Sequence, residues 1–330
     1  MKKICAVGIA AVLAVWSASA QVFCWNLENY FDNKDDPATA DEAFSPGGEY
    51  RWTQRKFTAK RNLIANTIIA SAECFGGELP AIVGLCEVEN GLVLKALVQE
   101  TPLARLRYRT LHRESPDPRG IDVALMYDPA RVRLLSSGFI TIKEFATREI
   151  LYAKVAIACE KRFSADSLAA LLADTLHLYV NHWPSKYGGA AASEIKRQAV
   201  CGALEASLDS LRRIEPSARI IIMGDFNDTP DSPVITGFCS RQNLQNLTAE
   251  VRGTIRFKGE WETIDHLLAS PSAAAIIGSV DAYKPDFLLE EDKQFLGRKP
   301  HRTNIGPRYN GGASDHLPII ATIPAWHLRP

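Results

Sequence analysis

The run Arg219-Ile-Ile-Ile-Met-Gly-Asp-Phe-Asn-Asp228 constrains the fold more than any other stretch. The apolar residues Ile220 to Met223 predict a strand buried on both faces, and Gly224 lets the backbone turn from it into an acidic, amide-bearing loop. Asp225 and Asn227 are two apart, so at a strand end both can face one crevice and offer oxygens to a hard cation or to an attacking water. Taken alone, a strand closed by an Asx-type turn at Thr229-Pro230 is the simpler reading. The rest of the chain overturns it.

The same pattern recurs at other strand ends. Val22 to Trp25 runs into Asn26-Leu27-Glu28-Asn29, Pro80 to Cys86 into Glu87-Val88-Glu89-Asn90, and Leu176 to Asn181 into His182-Trp183-Pro184-Ser185-Lys186. Near the C-terminus Gly311-Gly312-Ala313-Ser314 leads to Asp315-His316-Leu317-Pro318 and a closing strand, Ile319 to Ile323, while Asp265 sits inside a strand over Thr263 to Ala269. Helices are predicted over Trp52 to Glu73, Gly91 to Glu100 and Ala192 to Arg213. Further strands are expected over Tyr108 to His112, Ile121 to Tyr127 and, in several pieces, Val132 to Cys159. Gly253 to Phe257 is expected to pair with Thr263 to Ala269, Glu160 to Asp174 to form a short helix or a hairpin tip, and Asp286 to Arg308 to be irregular. Strands alternating irregularly with few helices predict an α+β fold in one domain, a mixed two-sheet core covered by helices. A lone His is more often structural and a lone Asn a turn former. Their recurrence at strand ends favours a shared site.

Lys2-Lys3, an apolar run from Ile4 to Trp16 and Ser17-Ala-Ser-Ala20 before Gln21 read as a secretory signal over residues 1–20, leaving residues 21–330 as an exported domain, periplasmic or extracellular. The run is short for a membrane span, so stable membrane insertion is not expected. Lys+Arg and Asp+Glu both number 38 in the full chain, and losing Lys2 and Lys3 leaves 38 − 2 = 36 basic residues against 38 acidic. This balance weakens any reading in which nucleic-acid affinity comes from charge alone. Of the cysteines left after the signal, Cys24 and Cys86 lie in strand-like apolar runs and read as small buried hydrophobes.

Trp25-Asn-Leu-Glu-Asn29, Gly84-Leu-Cys-Glu-Val-Glu-Asn90, Arg119-Gly-Ile-Asp-Val-Ala-Leu125, Asn181-His-Trp-Pro-Ser185, Gly224-Asp-Phe-Asn-Asp228, Ile264-Asp-His266 and Ser314-Asp-His-Leu-Pro318 together resemble the endonuclease/exonuclease/phosphatase superfamily, in order and rough spacing, from Val22 to about Pro324. It looks most like a secreted bacterial branch. The resemblance implies a DNase I-like four-layer sandwich, two mixed β-sheets packed face to face and flanked by helices. It also implies hydrolysis of a phosphoester with a divalent cation, usually Mg²⁺, with Mn²⁺ or Ca²⁺ as other hard ions. Residue by residue it implies Glu87 and Asn26 at the metal, Asp315 as a second metal ligand and Asp225 as the group that orients or deprotonates the attacking water. Asn227 then holds the phosphate or completes the site, His316 contacts the phosphate, His182 is a second active-site histidine and Asp265 orients a histidine left open between the two. Arg119, Arg148, Lys186 and Arg302 lie beside these motifs and are the candidate phosphate clamps.

A secreted DNA endonuclease is the first expectation. A phosphomonoesterase or phospholipid phosphodiesterase is the second, and an exported binding protein that keeps the fold without turnover is the reading from another class.

Overall fold

A computed structural model of the chain describes residues 20–157, 175–186 and 189–324. In chain order its strands are β1 (Ala20–Tyr30), β2 (Ile82–Val88), β3 (Arg109–His112), β4 (Asp122–Tyr127), β5 (Val132–Ile140), β6 (Ile150–Ile157), β7 (Thr175–His182), β8 (Ile220–Asp225) and β9 (Gln245–Asn246). They continue with β10 (Ile255–Phe257), β11 (Glu260–Glu262), β12 (Asp265–Ala269), β13 (Val280–Ala282), β14 (Leu289–Glu291), β15 (Arg298–Pro300), β16 (Asn304–Ile305), β17 (Arg308–Tyr309) and β18 (Ile319–Ile323). One six-stranded sheet has the order β13-β18-β1-β2-β4-β3 and the other β5-β6-β7-β8-β12-β9, both mixed because β1/β2 and β7/β8 pair in parallel.

Alternation along these strands sorts side chains between two destinations. Val22, Cys24, Ile82 and Cys86 of one sheet meet Leu178, Val180, Ile221 and Met223 of the other in a core between the sheets. Their chain neighbours Phe23, Trp25, Val83 and Leu85 face outward onto helices α1 (Gln54–Ala70) and α2 (Gly91–Gln99), through Ile64, Ile68, Val93 and Leu97. Tyr179, Ile220 and Ile222 face outward on the other side, onto helices α3 (Ala190–Ile214) and α4 (Pro233–Arg241). The result is the expected four-layer α+β sandwich, with β8 buried on both faces as its apolar run predicts.

Several local expectations are corrected. β10 pairs with β11, a strand not anticipated, whereas Asp265–Ala269 leaves that hairpin and pairs with β8. The apolar partner surface of β8 outweighs the short local connection. Asp286 to Arg308 is not irregular: it forms β14/β15 and the start of β16/β17. Helix α4 was not foreseen, although Ser232 caps it by accepting from the Ile235 amide and Pro233 occupies its first turn. The expectation for Glu160 to Asp174 lies outside the described residues. Cys24 and Cys86 are buried and free, as their apolar surroundings predict.

The parallel pairs bring the polar residues to one end of the sandwich. Asn26 is level with Cys86 across β1/β2, His182 with Asp225 across β7/β8, and Asp265 with Asp225 across β8/β12. Gly224, at φ 136°, permits the close approach, because a Cβ there would lie 1.9 Å from the Asn181 carbonyl oxygen. Gly224→Ala is expected to destabilise the fold by at least about 2 kcal/mol, since strain at a special backbone conformation adds to a backbone clash. A denaturant titration with a midpoint equal to wild type would refute this.

Candidate active site

Strand parity places Asn26, His182, Asp225 and Asp265 on the inter-sheet face, one step beyond the last apolar side chains of that core. Glu87 does not follow from parity, since Leu85 before it points outward. A register shift between Cys86 and Val88 and a left-handed backbone at Glu87, φ 60°, turn its carboxylate into the site. Glu28, Asn29 and Asn227 share that left-handed conformation, at φ 49°, 57° and 51°. Such positions cost of order 1–3 kcal/mol each and gather where geometry serves function.

Hydrogen bonds lock this arrangement across the two sheets. Asn26 Nδ2 donates to Asp225 Oδ2 at 2.9 Å and to Glu87 Oε1 at 3.2 Å, while its Oδ1 accepts from the Glu28 amide. Asn26 thus clasps two carboxylates and turns its oxygen away from the space that a metal at Glu87 would use. In this arrangement its amide nitrogen, and not its oxygen, faces Glu87. The other Glu87 oxygen accepts from the Asn29 amide at 2.7 Å, and the Asn227 amide donates to Asp225 Oδ1 at 2.8 Å. Asn227 Nδ2 donates to the Trp183 carbonyl oxygen, so its side chain braces the His182 loop.

The histidines differ in charge. His316 Nδ1 lies 2.7 Å from Asp265 Oδ2, which resolves which histidine Asp265 serves. Burial disfavours the charged His316 ring most, but Asp265, then Asp225 and Asp315, outweigh it and hold its pKa well above the usual histidine range. Its Nε2 points inward, 3.9 Å from both Asp225 Oδ2 and Asp315 Oδ1. His182 is pushed well below the usual range by burial and then by the charges of Arg148, Arg119 and His316, so it is neutral near pH 7. Its Nε2 is 3.6 Å from Asp225 Oδ2 and 3.8 Å from Glu87 Oε1. Asp225 is pushed up to about 7 by burial, with His316 opposing and Asp265 adding to the rise. Burial thus favours its protonated form more than in an ordinary aspartate.

Ligand atoms of Asp225, Asp265 and His316 all lie within 4.8 Å of one another, close enough to hold an ion. Asp265 and His316 are already spent on each other, however. Glu87 is a further candidate: each of its oxygens accepts one hydrogen bond, from Asn26 and from the Asn29 amide, its side chain is 14% exposed, and its oxygens are hard donors that suit a cation keeping most of its waters.

The expected clamps fare differently. Arg148 is buried, donating to Asp117 Oδ2 at 2.9 Å and to the Trp183 carbonyl, so it supports the His182 loop rather than facing a substrate. Lys186 lies 3.2 Å from Asp228, and Arg302 pairs with Glu28 and with Asp315 Oδ2. Arg119 is half-exposed and 3.8 Å from Asp117. Arg119 and Arg148 line a cavity of about 550 Å³ with Phe145, Thr147, Ser185 and Lys196. His266 points away from Asp265, its Nε2 meeting the Asp228 carbonyl oxygen at 2.9 Å.

Two residues of the network were missed. Glu28, two after Asn26, is buried and pushed up to about 7 by burial and then by Asp315, with Lys60 and Arg302 opposing. Lys60 is 1% exposed and donates to the carbonyl oxygens of Glu28 and Ala313 at 2.7 and 2.9 Å, and to Thr303 Oγ1. The signal for Lys60 was its place three after Phe57 and four before Ile64, on the apolar stripe of α1.

Two six-stranded mixed sheets packed face to face between helices, with carboxylates and histidines gathered at the strand ends, define the class of protein as an α+β sandwich. The chain matches the Endonuclease/Exonuclease/phosphatase family over residues 21–324, and it belongs to that family of hydrolases acting on phosphoester bonds. Similar solved structures include an endonuclease/exonuclease/phosphatase family protein from Bacteroides thetaiotaomicron, at 15% identity and TM-score 0.58, covering 94% of this chain and 99% of that one. The mannosyl-6-phosphatase of the same organism matches at 14% identity and TM-score 0.57, over 92% and 98% of the two chains. The D. rerio TDP2 complexed with a single-strand DNA product matches at 16% identity and TM-score 0.51, over 92% and 98%. These likenesses establish the DNase I-like fold. No curated protein matches the chain by sequence.

Because folding raises the His316 pKa, folding takes up a proton, and the pair with Asp265 stabilises fully below pH about 6.5. That contribution drains away as pH rises through the elevated folded value. In Asp265→Asn the strongest opposing charge is gone, burial prevails, and the His316 ring is expected to titrate well below its wild-type position by histidine NMR. An unchanged titration would show that Asp265 does not set the charge.

Proposed function

We propose that this chain is an exported, divalent-metal-dependent phosphoester hydrolase, with Mg²⁺ as its first metal and DNA phosphodiesters as its first substrate class. The hydrolase reading rests on the 2.7 Å contact of His316 with Asp265, which aims a cationic Nε2 at the space shared by Asp225 and Glu87. Phosphoesters resist hydrolysis because the anion repels a nucleophile and the leaving oxygen gathers charge. His316 donates to a phosphate oxygen and stabilises that charge. Asp225 takes a proton from water as the new P–O bond forms and the P–O bond to the leaving group breaks, the leaving oxygen taking up a proton from solvent, while Asn26 and the Asn227 amide hold the Asp225 carboxylate. Glu87 would hold the metal, which supplies further charge neutralisation on the phosphate. Export is supported by Lys2-Lys3, the apolar run and the small residues up to Ala20. Among the described residues no helix is long and apolar enough to cross a membrane.

A second substrate class, small phosphoesters including monoesters, is favoured by one observation. Each of the four expected clamps pairs with a carboxylate of the chain, which lowers the net positive charge open to a long polyanion, and a cavity of about 550 Å³ lies beside Arg119 next to the loop that follows His182.

Plasmid DNA, bis-p-nitrophenyl phosphate and p-nitrophenyl phosphate, assayed in parallel with Mg²⁺, test both. Turnover of DNA supports the nuclease reading, and turnover of the small esters alone moves the substrate to the second class. Asp225→Asn is expected to lower kcat by at least about a hundredfold, the usual reach of a proton-transferring side chain, with little change in KM. Full activity in that variant would remove Asp225 from the chemistry. No turnover of any phosphoester by the wild type would leave a binding protein on this fold.

A further inference from the structure

A cationic cavity shares a wall with the catalytic crevice. The Trp183 carbonyl oxygen accepts both from Asn227 Nδ2, at 3.0 Å, and from Arg148 Nη2, at 2.8 Å, so one peptide ties the Asp225 loop to the cavity of about 550 Å³ that Arg148 lines. The charged lining of that cavity is Arg119, Arg148, Lys196 and a single carboxylate, Asp117. Positive charge is in excess there, although the whole chain is balanced.

Asp117 is committed to the wall itself. Its Oδ2 accepts from Arg148 Nη1 at 2.9 Å and its Oδ1 from the Arg119 amide at 2.9 Å. The Arg119 guanidinium is half-exposed, its Nε 3.8 Å from Asp117 Oδ1 and beyond a hydrogen bond. Lys196 makes no ion pair among the described residues, and its ammonium stands 5.6 Å from the centre of the Phe145 ring. Behind them Arg148 is 6% exposed, yet its Nε has no hydrogen-bond partner among the described residues. Buried donors are seldom left unused, and this one belongs to a side chain that lines an open space. The charges of both arginines reach His182, which puts the cavity within electrostatic range of the crevice.

We propose that this cavity is a second anion subsite, which takes a phosphate group carried by the same substrate whose scissile phosphate lies between Asp225 and His316. Arg119 and Lys196 match the two charges of a phosphate monoester, a guanidinium fork can grip its oxygens, and Phe145 covers the carbon that bears it. The proposal rests on the phosphoester reading above and narrows its small-substrate class to molecules with two phosphates.

The probes are straight-chain alkanediol bisphosphates, from propane to octane, and the matching monophosphates, titrated calorimetrically with Mg²⁺ into the full chain carrying Asp225→Asn. At one spacer length the bisphosphate is expected to bind at least about tenfold more tightly than its monophosphate, because the second group binds as a tethered ligand. Adding Lys196→Glu, a charge reversal at an exposed helix position, is expected to abolish that advantage, as is Arg119→Ala. Lys95→Glu, the same charge change on α2, is expected to leave it intact. Equal affinities at every length, or an advantage that survives Lys196→Glu or disappears in Lys95→Glu, overturn the subsite. Wild-type turnover separates the two readings: hydrolysis without any bisphosphate advantage sinks the subsite alone. No release of phosphate from these compounds, or of p-nitrophenol from the nitrophenyl esters, sinks the hydrolase reading on which it rests.

Discussion

Everything at this site depends on carboxylates being buried where two sheets end together. Burying an ionised carboxyl costs several kcal/mol unless the opposite wall supplies a partner. Here it does, because Asn26 comes from the sheet of β1 while Asp225 ends β8, and His316 leads into β18 while Asp265 opens β12. Each polar contact is therefore also a contact between sheets. The inter-sheet core does not stop at the site but changes from Val, Leu and Met to Asp, Asn and His along the same inward-facing rows.

That continuity explains the asymmetry between the histidines. Both are buried, and burial alone makes each neutral. His316 has a carboxylate hydrogen-bonded on the face away from the crevice, so it keeps its charge; His182 feels the charges of Arg148 and Arg119, and its nearest carboxylate, Asp225, is at 3.6 Å, beyond a hydrogen bond. One ring can serve as a fixed cation and the other as a neutral brace, although the residue type is the same.

Much of this was legible in the chain. Apolar runs ending in acid, amide or histidine placed the strands, and the two-residue spacing of Asp225 and Asn227 placed the loop that bears them. What resisted was whatever depends on partners far away in sequence. Arg148 reads as a clamp because it adjoins a motif, but Asp117, in a loop before β4, claims it. Asp265 could not be assigned to a histidine because the partner lies 51 residues on. The motif around Glu87 marks it as a candidate, yet strict alternation would aim it at the helices, and only the bulge after Cys86 redirects it toward Asn26. Arg302 carries no local mark of its role, since Glu28 is 274 residues away.

The left-handed backbone at Glu87 and Asn227 has a consequence for descent. Glycine would sit at either position with about 1 kcal/mol less strain, so drift under selection for stability alone pulls both away from chemistry. At 87 the relaxed backbone and the carboxylate exclude each other, since glycine would relieve the turn only by removing the group that Asn26 and the Asn29 amide hold.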